Sequence, residues 1–178
     1  VADRIGAELG LTIPRKLPVP GNAEAGFGAV SEDGALALND LLLNHLRLRE
    51  DEIERIAARV REDIKRRKEI FMERISQPDV EGRRVILVDD GIASGYTMIA
   101  AIRSMRRKGA GRVIVASPVC SEFARGRIAS ESDELYARLL SSTRSFAVAS
   151  FYGAWRDLSD EDVFKDLDNW TARSKDRN

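Results

Sequence analysis

The residues best suited to chemistry form one short stretch in the middle of the chain. Asp89 and Asp90 are adjacent carboxylates, which can accept hydrogen bonds from the hydroxyl groups of a sugar. A loop of small residues follows at positions 91–97 and carries the hydroxyls of Ser94 and Thr97. Glycines in this loop allow successive backbone N–H groups to point toward one anion. The stretch therefore predicts a binding site for a phosphorylated sugar, although glycines in a strand–turn–helix unit can also serve the turn alone.

The elements on either side of this stretch would hold it at the edge of a sheet. Residues 85–88 are a continuous apolar run, which is typical of a buried parallel strand. Residues 98–105 have helical apolar spacing, and the N-terminus of this helix would add about half a positive charge beside a bound phosphate. A second apolar run at 113–116 completes a strand–helix–strand unit. Because open parallel sheets bind ligands at the carboxyl ends of their strands, the acids and the predicted loop at 117–120 are expected on one rim.

The string VILVDDGIASGYT at 85–97 resembles the PRPP motif of the type I phosphoribosyltransferases. That motif consists of an apolar strand, paired acids and a small-residue loop, and Ser94 stands where threonine is more common. Similarity to the same family extends to PRKLPVPGNAEAGFGAV at 14–30 and FAVASFYGAWRDLSDEDV at 146–163. The resemblance implies one domain over residues 1–178 with the α/β fold of the family. In that fold helices flank a Rossmann-like parallel sheet, and a β-hairpin serves as a lid.

The resemblance also implies a reaction and the residues that perform it. Members of the family transfer 5-phosphoribose from phosphoribosyl pyrophosphate (PRPP) to a nitrogenous base and release pyrophosphate. By position in the PRPP motif, Asp89 and Asp90 would be the catalytic acids. By position in the similar stretch at 14–30, Arg15 and Lys16 would bind pyrophosphate. The residues implied in phosphoribose binding are Asp89, Asp90, Gly91, Ile92, Ala93, Ser94, Gly95, Tyr96 and Thr97. Mg²⁺, held by substrate oxygens and water rather than by a protein metal site, would accompany PRPP, and the family is usually homodimeric.

Two features near the start of the chain bear on this site. Arg15 and Lys16 follow a strand predicted at 11–13 and precede a Pro/Gly-rich loop, so they either bind a polyanion or simply open a basic loop. Apolar runs at 27–30 and 35–38 flank a Glu-Asp-Gly turn and predict a β-hairpin. This hairpin either folds over a bound substrate as a lid or lies on the surface without a catalytic role.

Apolar spacing and local composition assign most of the remaining chain. The further predicted helices cover residues 1–9, 39–48, 50–75, 122–129 and 159–170. Residues 134–140 suit a helix or a strand, and we favour the strand because the resembled fold needs one there. The apolar face of the 50–75 helix would pack in the core or in a dimer. Four clustered aromatic residues would stack on a nucleobase or pack a core, namely Phe146, Phe151, Tyr152 and Trp155.

The composition narrows the classes of partner and chemistry. Lysine plus arginine equals aspartate plus glutamate, 29 of each, so the net charge favours neither nucleic acid nor an anionic membrane as a partner. One histidine, His45, and one cysteine, Cys120, give little support to a His-based triad or a Cys/His zinc site. The single cysteine, and the lack of a signal peptide or an apolar run of about 20 residues, predict a cytoplasmic protein.

One departure from the family pattern leaves alternatives open. The family carries a strand and a pyrophosphate-contacting loop before its first helix, whereas this chain opens inside a helix at Val1. This strand and loop are therefore expected either upstream of Val1 or not at all, and in the second case PRPP binding would be weakened and the sheet would lose a strand. A non-catalytic PRPP- or nucleotide-binding regulator is the alternative from another class, and a plain phosphosugar-binding domain is the third. No segment of the sequence specifies a particular acceptor base.

Overall fold

The computed structural model describes residues 1–143 and 145–175 of the 178-residue chain. Its helices are α1 (Ala2–Ile5), α2 (Asp40–Leu46), α3 (Glu50–Met72), α4 (Tyr96–Arg107), α5 (Glu122–Ala129) and α6 (Asp160–Lys175). Its strands are β1 (Arg15–Val19), β2 (Asn22–Val30), β3 (Leu36–Leu38), β4 (Arg84–Val88), β5 (Arg112–Ser121) and β6 (Glu134–Ser141). The strands form a parallel sheet, β4–β5–β6, and an antiparallel sheet, β1–β2–β3. The α/β fold class predicted from the sequence is confirmed.

The parallel sheet is covered by α4 and α5 on one face. Leu87 of β4 and Val115 of β5 are buried there, and they belong to the same core cluster as Ile102 of α4. The alternate residues of β4 point the other way, and Ile86 and Val88 are 39% and 52% exposed. The prediction that residues 85–88 are buried throughout is therefore wrong, because in the described part of the chain both covering helices lie on the same side. The strand predicted at 134–140 is confirmed as β6.

The antiparallel sheet contains the predicted hairpin and packs between α3 and α4. Phe27 of β2 is fully buried against Ile64 of α3. The turn between β2 and β3 is fastened to the C-terminal end of α4, where Lys108 forms an ion pair with Glu32 at 2.7 Å. The hairpin is confirmed, and its role as a lid stays a prediction.

The first twenty residues differ most from the prediction. The opening helix ends at Ile5 instead of Leu9, because Gly6 takes the left-handed conformation (φ 63°) that terminates a helix. Residues 11–13 form no strand, and β1 begins after Pro14 instead. Pro18 lies within this outer strand, where the register with β2 shifts on both sides of it. Arg15 and Lys16 consequently open a strand rather than follow one.

The long helix α3 packs with its apolar face in the interior. The side chains buried along it are Ala57, Val60, Ile64 and Phe71. Their burial supports packing of the apolar face in the core of the protein rather than in a dimer interface. Near its end Phe71 meets Phe164 of α6, with ring centroids 5.4 Å apart. None of the helices in the described ranges combines the length and apolarity that crossing a membrane requires.

Candidate functional site

The two acids lie where β4 ends, as predicted. The Asp89 N–H donates to the Ala116 carbonyl at 3.3 Å and so continues the ladder to β5. The Asp90 N–H donates to Oδ1 of Asp89 at 2.9 Å, which turns the chain out of the strand. Both acids line a cleft of about 890 Å³, together with Ser117 and Tyr136 from the two neighbouring strands. The carboxyl-terminal rim of the parallel sheet is therefore open to a ligand at the acid pair.

Burial and mutual repulsion disfavour the doubly ionised form of the acid pair. Burial of Asp89, followed by the charge of neighbouring Asp90, raises the pKa of the Asp89 carboxyl to about 6, although the hydrogen bond from the Asp90 N–H partly opposes this. Hydroxyl donors or a cation brought close to the pair would relieve the repulsion. This rim is thus suited to a ligand that is rich in hydroxyl groups or accompanied by a metal ion.

The 91–97 loop lies along the end of β5. The Ile92 N–H donates to the Val119 carbonyl at 2.9 Å, and the Ser121 N–H donates to the Ile92 carbonyl at 2.8 Å, so the loop pairs with β5 like a short strand. Gly95 then turns the chain into α4 with φ 86°, a left-handed conformation that favours glycine. The loop predicted at 117–120 is instead the last part of β5, and this part of the strand pairs with the 91–97 loop.

Two hydroxyls and the first turn of α4 are available to an anion. Within the described ranges neither Ser94 Oγ nor Thr97 Oγ1 makes a hydrogen bond to another part of the protein. The first backbone N–H groups of α4 have no helical partners, and the positive end of the helix dipole lies at Gly95 and Tyr96. These groups follow Asp89 by at most eight residues, so the acids and the anion donors belong to one continuous stretch of the chain.

The C-terminal segment packs directly on the acid pair. The Tyr152 hydroxyl donates to the Asp90 carbonyl at 2.6 Å. A methyl group added at Gly91 would lie 2.5 Å from Cγ1 of Val148, so only glycine allows this contact. Trp155 meets Tyr152 edge to face, with ring centroids 5.1 Å apart, and remains 41% exposed. Of the predicted aromatic cluster, Tyr152 is thus brought beside the acids with Trp155 at its outer side, whereas Phe146 and Phe151 pair with each other, with ring centroids 5.0 Å apart.

The predicted pyrophosphate ligands lie elsewhere in the fold. Arg15 and Lys16 are exposed on β1, and the Lys16 Nζ donates to the Glu24 carbonyl at 2.6 Å. Arg15 lies opposite Val30 of β2, and Val30 lies opposite Leu36 of β3. The Leu36 carbonyl accepts from Arg103 of α4 at 2.6 Å. Because Arg103 is two turns along α4, this register places Arg15 away from the helix end that meets the 91–97 loop. The structure does not join these cations to the acids by any contact within the described ranges, and their role stays a prediction.

The lone histidine and cysteine have the positions expected of non-catalytic residues. His45 is exposed on α2, among the leucines of that helix. Cys120 is fully buried in β5, and burial raises the pKa of its thiol although the charge of Arg125 partly opposes this. A buried thiol with a raised pKa is a poor nucleophile, so the interpretation of Cys120 as a small core residue is confirmed.

Two further contacts to the loop were not predicted. The Ser121 hydroxyl donates to the Ala93 carbonyl, and the Arg127 guanidinium donates to the Ser94 carbonyl at 3.3 Å. The sequence carries only an indirect signal for the first, because a serine directly before a helix is a typical N-cap. No sequence pattern relates either residue to a loop 28 or more positions earlier.

Comparison with known proteins gives a consistent result. Residues 32–151 match the phosphoribosyl transferase domain family. A protein of Mycobacterium tuberculosis provisionally named as a phosphoribosyl transferase, Rv0571c, is 33% identical over 168 residues, which are 94% of this chain and 38% of that protein. The crystal structure of TT1426 from Thermus thermophilus has 37% identity and a TM-score of 0.74, covering 95% of this chain and 79% of that one. A ribose-phosphate pyrophosphokinase of Methanopyrus kandleri is 55% identical over 38 residues, 21% of this chain and 13% of its own. The chain thus spans well under half the length of the mycobacterial relative.

Proposed function

Because the chain belongs to the phosphoribosyl transferase domain family, we propose that it transfers 5-phosphoribose from PRPP to a nitrogenous base. The observation that carries the proposal is the geometry at the end of β4. There an acid pair suited to ribose hydroxyls is followed, within eight residues, by free hydroxyls and helix N–H groups suited to the 5′-phosphate. The two halves of phosphoribose are thereby matched in order along one rim.

In the proposed reaction the bond from C1′ to the pyrophosphate oxygen breaks, and its electron pair leaves with pyrophosphate. A nitrogen of the base forms the new bond to C1′, and its proton passes to the departing pyrophosphate or to water. Asp89 and Asp90 would accept from the 2′- and 3′-hydroxyls and place negative charge near the positive charge that develops at C1′. No side chain near the acids is required as a general base, so catalysis would depend on positioning and electrostatics.

The acid pair also suits Mg²⁺, which prefers oxygen ligands. Repulsion within the pair, which contributes to the raised pKa of Asp89, would be relieved by a nearby cation. We propose that Asp89 and Asp90 face a Mg²⁺ ion held mainly by substrate oxygens and water. When bound, the ion supplies charge neutralisation for the pyrophosphate.

The aromatic residues beside the acids support a planar acceptor. Tyr152 is joined to the Asp90 carbonyl, and the exposed ring of Trp155 stands against it. A nucleobase-like acceptor that stacks on Trp155 would therefore lie next to the sugar site. We extend the proposal to a homodimer, as the family resemblance implies, and to a cytoplasmic location, as the single cysteine suggests.

A specific observation favours the non-catalytic alternative. Arg15 and Lys16, which would stabilise departing pyrophosphate, make no contact with the acid pair or the 91–97 loop in the described part of the chain. A protein with the sugar-phosphate site but without cations at the leaving group would bind PRPP and regulate a partner rather than turn PRPP over.

Calorimetry with Mg²⁺–PRPP, combined with a pyrophosphate-release assay over a panel of purine and pyrimidine bases, separates these functions. We expect PRPP to bind and one base to release pyrophosphate. Binding without release for any base would favour the regulator, and equal affinity for ribose 5-phosphate and PRPP would favour a plain phosphosugar-binding domain. Absence of binding to either ligand would contradict the proposed site itself.

A further inference from the structure

Helix α5 and its capping residue bind three successive carbonyl groups of the loop that follows the acids. The Ile92 carbonyl accepts from the Ser121 N–H at 2.8 Å, and the Ala93 carbonyl accepts from the Ser121 hydroxyl. The next carbonyl, that of Ser94, accepts from the guanidinium of Arg127 at 3.3 Å. One helix and its capping residue therefore determine how three consecutive peptide groups are oriented.

This orientation decides where the N–H groups of the loop point. In a trans peptide group the C=O and N–H bonds point in opposite directions, and the described ranges contain no cis peptide. Because the carbonyls of residues 92, 93 and 94 face α5, the N–H groups of residues 93, 94 and 95 face away from it. They precede the N–H groups of the first turn of α4, which have no helical partners, so the two sets can together serve as anion donors.

The two side chains that bind the carbonyls are themselves held in place. Ser121 is 1% exposed, and its hydroxyl also accepts from the Ala124 N–H at 3.1 Å as the cap of α5. Arg127 also donates to the Phe123 carbonyl at 3.1 Å, and its guanidinium lies 5.3 Å from the ring centroid of Tyr96. Each side chain thus links α5 to the loop or to the first residue of α4.

We propose that Ser121 and Arg127 are positioning residues that orient the amides of the 91–97 loop for a sugar phosphate before the ligand arrives. The inference rests on the proposed phosphoribose site and adds the groups that preorganise it. Donors that are already oriented need not be ordered on binding, so loss of either side chain should weaken the binding of phosphorylated ligands. Neither residue contacts the ligand in this arrangement.

Arg127→Met is the first test, because methionine keeps a long unbranched side chain and loses both the donor to the Ser94 carbonyl and the cation–π contact with Tyr96. Arg125→Met is the matched control, since it removes the same charge from the same helix at an exposed side chain without a hydrogen bond to the loop in the described ranges. With ribose 5-phosphate as the probe in calorimetry, we expect Arg127→Met to raise Kd about five- to tenfold and Arg125→Met to change it less than about twofold.

Ser121 gives an independent second test. Ser121→Thr keeps the hydroxyl and should retain the affinity for ribose 5-phosphate, whereas Ser121→Ala should weaken it at least as much as Arg127→Met does. Amide hydrogen exchange supplies a readout that a general loss of stability would not reproduce. Exchange should increase at the amides of Ile92 and Ser121, whose hydrogen bonds join the loop to β5, in Arg127→Met while β6 keeps its protection.

The outcomes separate this inference from the proposed function. Wild-type protein that binds ribose 5-phosphate, with equal Kd values for Arg127→Met and Arg125→Met, would overturn the positioning role alone. Wild-type protein that binds neither ribose 5-phosphate nor PRPP would overturn the proposed function and the positioning role with it. A weakened Arg127→Met together with an unaffected Ser121→Thr would support both.

Discussion

Replacing Asp89 by asparagine should stabilise the unliganded protein and abolish its proposed activity. Burial and the neighbouring Asp90 raise the pKa of Asp89 to about 6, so the ionised form is disfavoured in the folded state. Asparagine removes this charge and still offers an oxygen to the Asp90 N–H, which donates to Oδ1 of Asp89 at 2.9 Å. The same change removes a carboxylate that the proposed reaction needs.

The magnitude follows from the two pKa values. A carboxyl that titrates near 3.8 in the unfolded chain and near 6 in the folded one binds more protons when folded between these values. Stability therefore falls as the pH rises through this interval, and the loss is complete above about pH 6. The full difference corresponds to about 3 kcal/mol, and partial solvent screening of Asp89 and its coupling to Asp90 reduce the expected gain to about 1–2 kcal/mol. For a chain of this size that is a rise in Tm of about 2–8 °C.

Thermal unfolding of wild type, Asp89→Asn and Asp157→Asn at pH 7.5 and pH 4 would measure the effect. Asp157 is an exposed acid with no hydrogen bond in the described ranges, so its variant controls for the loss of one surface charge. We expect Asp89→Asn to melt higher at pH 7.5 and to match wild type at pH 4. A lower Tm at pH 7.5, or a gain that persists unchanged at pH 4, would refute the electrostatic account of the acid pair.

Three further changes test other parts of the structure. Asp90→Asn should lower turnover of PRPP about tenfold or more in a pyrophosphate-release assay, and an unchanged kcat/KM would remove Asp90 from the site. Gly91→Ala should displace the C-terminal segment and weaken PRPP binding in calorimetry, whereas adding Val148→Ala should restore it, because the new methyl would otherwise lie 2.5 Å from Cγ1 of Val148. Burial alone would raise the pKa of Glu32, but the hydrogen bond from Lys108, further hydrogen bonds from the backbone and the Ser31 hydroxyl, and the charge of Lys108 lower it to about 2. Glu32→Gln should therefore cost about 1–2 kcal/mol in urea unfolding at pH 7, because the partly exposed Lys108 is screened by solvent, and progressively less as the pH falls from 4.5 toward 2; an equal cost at both ends would exclude the charge of Glu32 as the cause.

The parts of the fold that the sequence predicted are those with strong local signals. The apolar run before Asp89 and the helical spacing from Met98 gave the strand, the loop and the helix of the site within a few residues of their observed bounds. The Glu-Asp-Gly turn gave the hairpin, because Gly34 takes the positive φ of 79° that such a turn requires. In each case the residues that determine the local structure lie within the same short segment of the sequence.

The parts that were mispredicted or missed depend on residues distant in sequence. Nothing near Ile86 indicates that one face of its strand stays open, since this depends on where α4 and α5 pack. Tyr152 reaches the Asp90 carbonyl across 62 positions, and Arg127 reaches Ser94 across 33. Contacts of this kind are set by tertiary packing, and neither periodicity nor turn chemistry specifies them.

The acid pair occupies an interruption in the ladder between β4 and β5. The Asp89 N–H bonds the Ala116 carbonyl, and pairing resumes where Ile92 bonds residues 119 and 121. In a parallel ladder the next hydrogen bond would run from the N–H of residue 118 to the Asp89 carbonyl. Residue 118 is a proline, which has no N–H to donate. Pro118 therefore allows the chain to leave the strand at the acids, and the remainder of β5 provides an edge for the loop to rejoin. The interruption in pairing with β5 thus separates the part of the site suited to sugar hydroxyls, at the acids, from the part suited to phosphate, in the 91–97 loop.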